Sequence, residues 1–247
     1  MSDQVVCQAI SNDKNALQQL QGMILAENGF VVRCATSTLA SLASVNSRVA
    51  YGFIDDSGRH PIRRLLKAKN STEQLSGLHL LASLALTSEE IALPLAYPPI
   101  LNCLMSLIED AKDLAVKRHA LLALGNLAFY DSIRRSLLND STARKLIIKV
   151  ANVNALQHED DSPPEMPRTP LAEDPVRLAA IRLLGILGLN DELASALRAE
   201  YPTNPTEPSK SGHGVRILCL DGGGMRGRAS SITFELHSRE IEKCRNA

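Results

Sequence analysis

Four segments of the chain repeat one arrangement of small and apolar positions: CATSTLASLA (Cys34 to Ala43), SGLHLLASLA (Ser76 to Ala85), HALLALGNLA (His119 to Ala128) and AAIRLLGILG (Ala179 to Gly188). They superimpose without gaps. A small residue (Ala35, Gly77, Ala120, Ala180) is followed four positions on by Leu39, Leu81, Leu124 or Leu184, and three further on by Leu42, Leu84, Leu127 or Leu187. Positions i, i+4 and i+7 share one face of an α-helix, and small residues on that face let a neighbouring helix approach closely. The spacing predicts four helices built to stack on one another, with Leu121, Leu122, Leu124 and Leu127 as a core stripe. After each comes a second apolar helix, such as HPIRRLLKA with Pro61 in its first turn, or YPPILNCLMSLI with a similar proline start.

The copies recur at intervals of 42, 43 and 60 residues. The first two intervals fall in the range of roughly 40–47 residues typical of armadillo and HEAT repeats. The third is lengthened by an insert, QHEDDSPPEMPRTPLAEDP (157–175), whose six acidic residues, one arginine and five prolines favour an extended loop. Residues 1–199 therefore resemble an armadillo-type α-solenoid of four units. Its surface suits a protein partner, or serves as folding support for its neighbour. EYPTNPTEPSKSGHG follows, and its spaced prolines read as an interdomain linker over 200–214. A new domain begins at Val215.

Overall composition adds mainly exclusions. Lys plus Arg and Asp plus Glu both number 27, so no global field draws the chain to nucleic acid or to an anionic membrane, and charge acts locally. The exposed bases Arg63, Arg64 and Lys67, and Arg134, Arg135, Arg144 and Lys145, suit solvated helix faces, with acidic partners or phospholipid headgroups as the alternative. Cys7, Cys34, Cys103, Cys219 and Cys244 form no CxxC pair, which argues for reduced thiols rather than zinc or a disulfide framework. MSDQVVCQAI has no basic start and no long apolar core, so a cytoplasmic protein is expected. The charge-free run Ile91 to Ile108 holds three prolines and reads as helix, turn, helix within a core rather than a membrane span.

One stretch carries candidate chemistry. VRILCL has the content of a short buried strand, DGGGMRG follows it, and ASSITFELHSREIEKC has helical spacing at Ile232, Leu236 and Ile241. Between a strand and a helix, consecutive glycines let several backbone N–H groups converge on one oxygen, and the helix N-terminus adds partial positive charge. Such a loop holds either a phosphate or the oxyanion of acyl transfer. Gly222, Gly224 and Gly227 also satisfy G-x-G-x-x-G, which leaves a dinucleotide-binding reading open.

The whole string Asp221 to Gly227, with GVRIL leading in, resembles the D-G-G-G-x-R-G motif of patatin-like phospholipases of the calcium-independent type. An armadillo-type region ahead of such a domain also occurs in that family. The resemblance implies an α/β catalytic domain that hydrolyses phospholipid acyl esters with a Ser–Asp dyad, using no metal or other cofactor. Gly222, Gly223 and Gly224 then match the oxyanion-hole glycines, Arg226 the motif arginine, and Asp221 and Gly227 flank them in support. The family's G-x-S-x-G pentapeptide does not occur in these 247 residues, so no catalytic residue is assigned within the chain. The expectation is the N-terminal part of a larger enzyme: a mainly α solenoid followed by the first strand, loop and helix of a patatin-like domain (215–247). The whole enzyme would take an acyl-ester lipid, with peripheral membrane contact and a protein partner on the solenoid, and no nucleic acid. An armadillo-type binding scaffold or a cut-short nucleotide-binding protein are the alternatives.

Overall fold

The computed structural model describes residues 3–151 and 174–200. Thirteen helices occupy them, with no strand among the described residues: α1 (Asp3–Asn12), α2 (Lys14–Met23), α3 (Gly29–Val45), α4 (Arg48–Tyr51), α5 (Asp56–Leu66), α6 (Ser71–Ala85), α7 (Glu89–Leu95), α8 (Pro98–Asp110), α9 (Leu114–Ala128), α10 (Asp131–Asn139), α11 (Ser141–Ala151), α12 (Pro175–Leu187) and α13 (Asn190–Glu200). The repeat segments lie in α3, α6, α9 and α12. Each of these helices starts at an Asn or Asp whose side chain accepts backbone N–H bonds: Asn28, Asn70, Asp113 and Asp174. Such a cap satisfies donors that the first turn leaves unpaired. Gly188 ends α12 at φ 76°, and the Leu189 N–H donates to the Leu184 carbonyl at 3.1 Å, a left-handed closure that suits glycine.

The four helices stack in chain order, α3 on α6, α6 on α9 and α9 on α12, and these are the most extensive helix contacts in the described residues. The periodicity explains the stack. Ala35, Ala120 and Ala180, and both leucines of every copy, are at most 3% exposed, with Gly77 buried among them. Of the stripe on α9, Leu121, Leu124 and Leu127 are buried, while Leu122 packs half-buried against the core. α6 and α9 run parallel: His79 stacks on His119, and further along both helices the Asn126 side-chain amide donates to the Ala82 carbonyl at 3.0 Å.

Two details differ from the sequence reading. Between successive ladder helices lie two helices: α7 and α8 are the helix, turn, helix read in Ile91 to Ile108, but the short α4 and α10, which precede α5 and α11, were not expected. The units are therefore three-helix, as in armadillo repeats. Pro61 is not a first-turn residue: α5 begins at Asp56 and Pro61 lies inside it. Its fixed φ is compatible with the helix, at the expense of one backbone hydrogen bond. The proline start of α8 does hold, with Pro98 at its first position. The run Ile91 to Ile108 folds as α7 and α8, bent by 73°, and among the described residues no single helix is long and apolar enough to cross a membrane.

The insert falls between α11 and α12 of the fourth unit. Its last two residues are structured as the N-cap and first residue of α12, and 152–173 lie outside the described residues. Arg177, only 2% exposed, closes this junction: its guanidinium donates to the carbonyls of Ala151, at the end of α11, and Ala196, in α13. The Ala151 carbonyl lies at the end of α11, where intrahelical partners run out.

Candidate functional site

The glycine-rich candidates Asp221, Gly222, Gly223, Gly224, Arg226 and Gly227 lie outside the described residues, as do the linker and the expected strand and helix around them. What the structure places is the chemistry of the solenoid surface. One strongly basic feature of that surface is built on α5. Ile62, Leu65 and Leu66 of that helix are buried, which turns positions 60, 63, 64 and 67 outward as one stripe at i, i+3, i+4, i+7 spacing. His60, Arg63, Arg64 and Lys67, together with Ala68, Lys69 and Glu73 of the α5–α6 turn and α6, line an open cleft of about 680 Å³. Glu73 is its single carboxylate.

Cys103 of α8, 7% exposed, lies within the field of two of these cations. Burial pushes its thiol pKa up, opposed by the positive charges of Lys67 and Arg63. Burial dominates because desolvation disfavours the thiolate. Cys103 is thus a packed thiol rather than a reactive one.

The second group of bases is arranged differently. Arg134 and Arg135 both pair with Asp131 at the start of α10, at i, i+3 and i, i+4 spacing. Exposed helix pairs of this kind contribute about 0.3–0.5 kcal/mol, so they read as a solvated face. Arg144 and Lys145 are exposed on α11. The sequence reading did not anticipate Lys69 and His60 as partners of Arg63, Arg64 and Lys67. The helical period was the available signal for His60, whereas Lys69 joins through the turn.

The ladder adds a second missed feature. His79 of α6 and His119 of α9 stack with ring centroids 4.6 Å apart and an interplanar angle of 23°. The His119 Nδ1 is 2.7 Å from the Ala115 carbonyl. The pKa of His79 is lowered, first by burial and then by the neighbouring imidazole. Among the described residues no group of three or more His, Cys, Asp or Glu converges on a metal-sized site.

An ordered stack of three-helix units around one continuous core defines the class: an armadillo-type solenoid. Solved structures agree. An engineered protein from a structural genomics consortium superimposes with a TM-score of 0.54 at 18% identity, covering 80% of this chain and 78% of its own. A computationally designed armadillo repeat protein for modular peptide recognition gives 0.51 at 17% identity, with 81% of both chains covered. A designed armadillo repeat protein in complex with the peptide (KR)4 gives 0.53 at 18% identity, over 78% of this chain and 79% of its own. At these identities the likeness concerns the fold.

A relative reaches further. The chain is 32% identical over 243 residues, 98% of its length, to "Phospholipase A I" of Arabidopsis thaliana. It spans 16% of that protein's length. No family model matches the chain. The resemblance to phospholipases carrying an armadillo-type region thus has two supports: the solenoid's fold, and likeness to a protein of that name along nearly the whole chain.

Proposed function

We propose that this chain contributes the solenoid and the oxyanion-hole loop of a patatin-like lipid acyl hydrolase. The nucleophilic serine and its aspartate would stand in a further part of a longer protein. The observation that carries the reading is the string DGGGMRG within a chain that is 32% identical to a phospholipase over 98% of its length. The relative's greater length leaves ample room for a catalytic remainder.

In this reading the serine hydroxyl attacks the ester carbonyl, and negative charge develops on the carbonyl oxygen. Backbone N–H groups of Gly222, Gly223 and Gly224 donate to that oxygen, and each such donor is worth about 2.7–4 kcal/mol where one has been removed from other enzymes. Three residues without Cβ atoms permit the close convergence. Arg226 orients the loop or meets the lipid phosphate, and Asp221 closes the loop by accepting local N–H groups. No metal is required, because the glycine amides supply the electrophilic assistance.

A second reading, an armadillo-type scaffold for a protein partner, is favoured by one observation. The described helices form a continuous solenoid core of their own, and that fold is shared with armadillo proteins designed for peptide recognition. The test joins residues 1–247 to a catalytic remainder bearing a G-x-S-x-G serine. Release of fatty acid from phospholipid in the presence of a chelator supports the hydrolase. Absence of hydrolysis, with a folded protein that retains a peptide ligand, supports the scaffold.

A further inference from the structure

α6 and α9 run parallel and α3 carries the same repeat, so the described turns that lead into α3, α6 and α9 lie along one edge of the solenoid. On this edge the α5–α6 turn is the basic one. Arg63, Arg64, Lys67 and Lys69 gather there around Glu73 alone. No ion pair joins these four cations to a carboxylate among the described residues. The neighbouring turn at Lys112 is balanced by Glu109, Asp110 and Asp113, so among the described turns the positive excess lies in the second unit.

The flanks of this turn are apolar. α3 and α9 lie on either side of α6, and their first turns present Phe30, 64% exposed, and Leu114, 61% exposed. These are the two most exposed large apolar side chains among the described residues. The Arg33 guanidinium lies 5.5 Å from the centre of the Phe30 ring, so this aromatic also carries a cation. Cations in the last turn of α5 offset its dipole, which accounts for Arg63 and Arg64. It accounts neither for Lys69 beyond the helix end nor for exposed apolar side chains on both sides.

We propose that this edge docks on an anionic phospholipid surface, with the α5–α6 turn over the headgroups and Phe30 and Leu114 entering the interface on either side. Four outward cations spread over a helix stripe and a turn match a field of headgroups better than one phosphate. Apolar side chains beside them gain from an apolar boundary, the combination that holds peripheral elements on membranes. The choice of a lipid surface over an acidic protein rests on the hydrolase reading.

The test uses the 247-residue protein and sedimentation with phosphatidylcholine vesicles, with and without phosphatidylserine. Cosedimentation is expected only with phosphatidylserine present, and salt should release the protein. Each neutralised cation should weaken partitioning about fivefold, so Arg64→Gln, Lys67→Gln and Lys69→Gln together should lower it about a hundredfold with an unchanged circular-dichroism spectrum. Phe30→Ser with Leu114→Ser should weaken binding while preserving its dependence on phosphatidylserine. Equal sedimentation with both vesicle types, or a triple variant that binds like the parent, overturns the proposal. Capture by poly-glutamate without vesicle binding overturns it in favour of an acidic protein. Hydrolysis of a soluble short-chain ester by the longer protein is measured separately: activity without vesicle binding removes only this inference, and vesicle binding without activity removes only the hydrolase.

Discussion

Gly77 brings α6 so close to α5 that a Cβ added to it would stand 2.7 Å from the Cβ of Leu65. The neighbour is the root of a buried side chain, which cannot swing aside as a flexible tip can. Gly77→Ala should therefore destabilise the solenoid, although alanine is the better helix former by about 1 kcal/mol. Overpacking of this kind costs about 1–3 kcal/mol. A lowered midpoint in urea is expected; an unchanged or raised midpoint would show that the two helices can part without loss.

Leu124 of α9 is fully buried in the solenoid core. Leu124→Ala should lower stability by about 2–5 kcal/mol, the lost transfer energy plus that of the cavity left behind. Chemical denaturation measures it. A change of a few tenths would mean that Leu124 is not an anchor of the ladder.

The stacked imidazoles give the solenoid a pH dependence with a definite sign. The folded-state pKa of His79 is depressed below its ordinary 6.5 by burial first and by His119 second. Its contribution to stability is therefore fully present above about pH 6.5 and is lost as pH falls through the lower folded value. The effect should be modest, because the ring is partly exposed and solvent screens the repulsion. Melting temperature should fall on acidification, and His79→Gln should reduce the fall. An identical pH profile in the variant would contradict the account.

The ladder was legible because it is a local pattern: a small residue and two leucines at i, i+4 and i+7 encode both a helix and the face it buries. α7 and α8 were legible as the helix, turn, helix of Ile91 to Ile108, but α4 was not, since its four residues are fewer than a period needs. Pro61 misled, since a proline marks a helix start more often than it sits inside one. The bases of α5 were visible as residues, but their cleft depends on a turn that brings Lys69 beside the stripe. The His79–His119 stack joins residues on different units, and no local pattern announces it. The glycine-rich loop stands apart: its chemistry is read from DGGGMRG itself, outside the described residues.

We propose that Gly222 to Gly224 form the oxyanion hole of a lipid acyl hydrolase. The 247-residue chain contains no G-x-S-x-G serine and should show no esterase activity alone, since the donors have no nucleophile to assist. The direct measurement is steady-state hydrolysis of a phospholipid by the longer protein and by its Gly223→Ala variant. A Cβ at that position should push a backbone donor off the developing oxyanion while disturbing ground-state binding less. A kcat lowered about a hundredfold or more, with KM little changed, is the predicted result. A normal kcat with a raised KM would contradict it and show that the loop only holds a phosphate of the ligand.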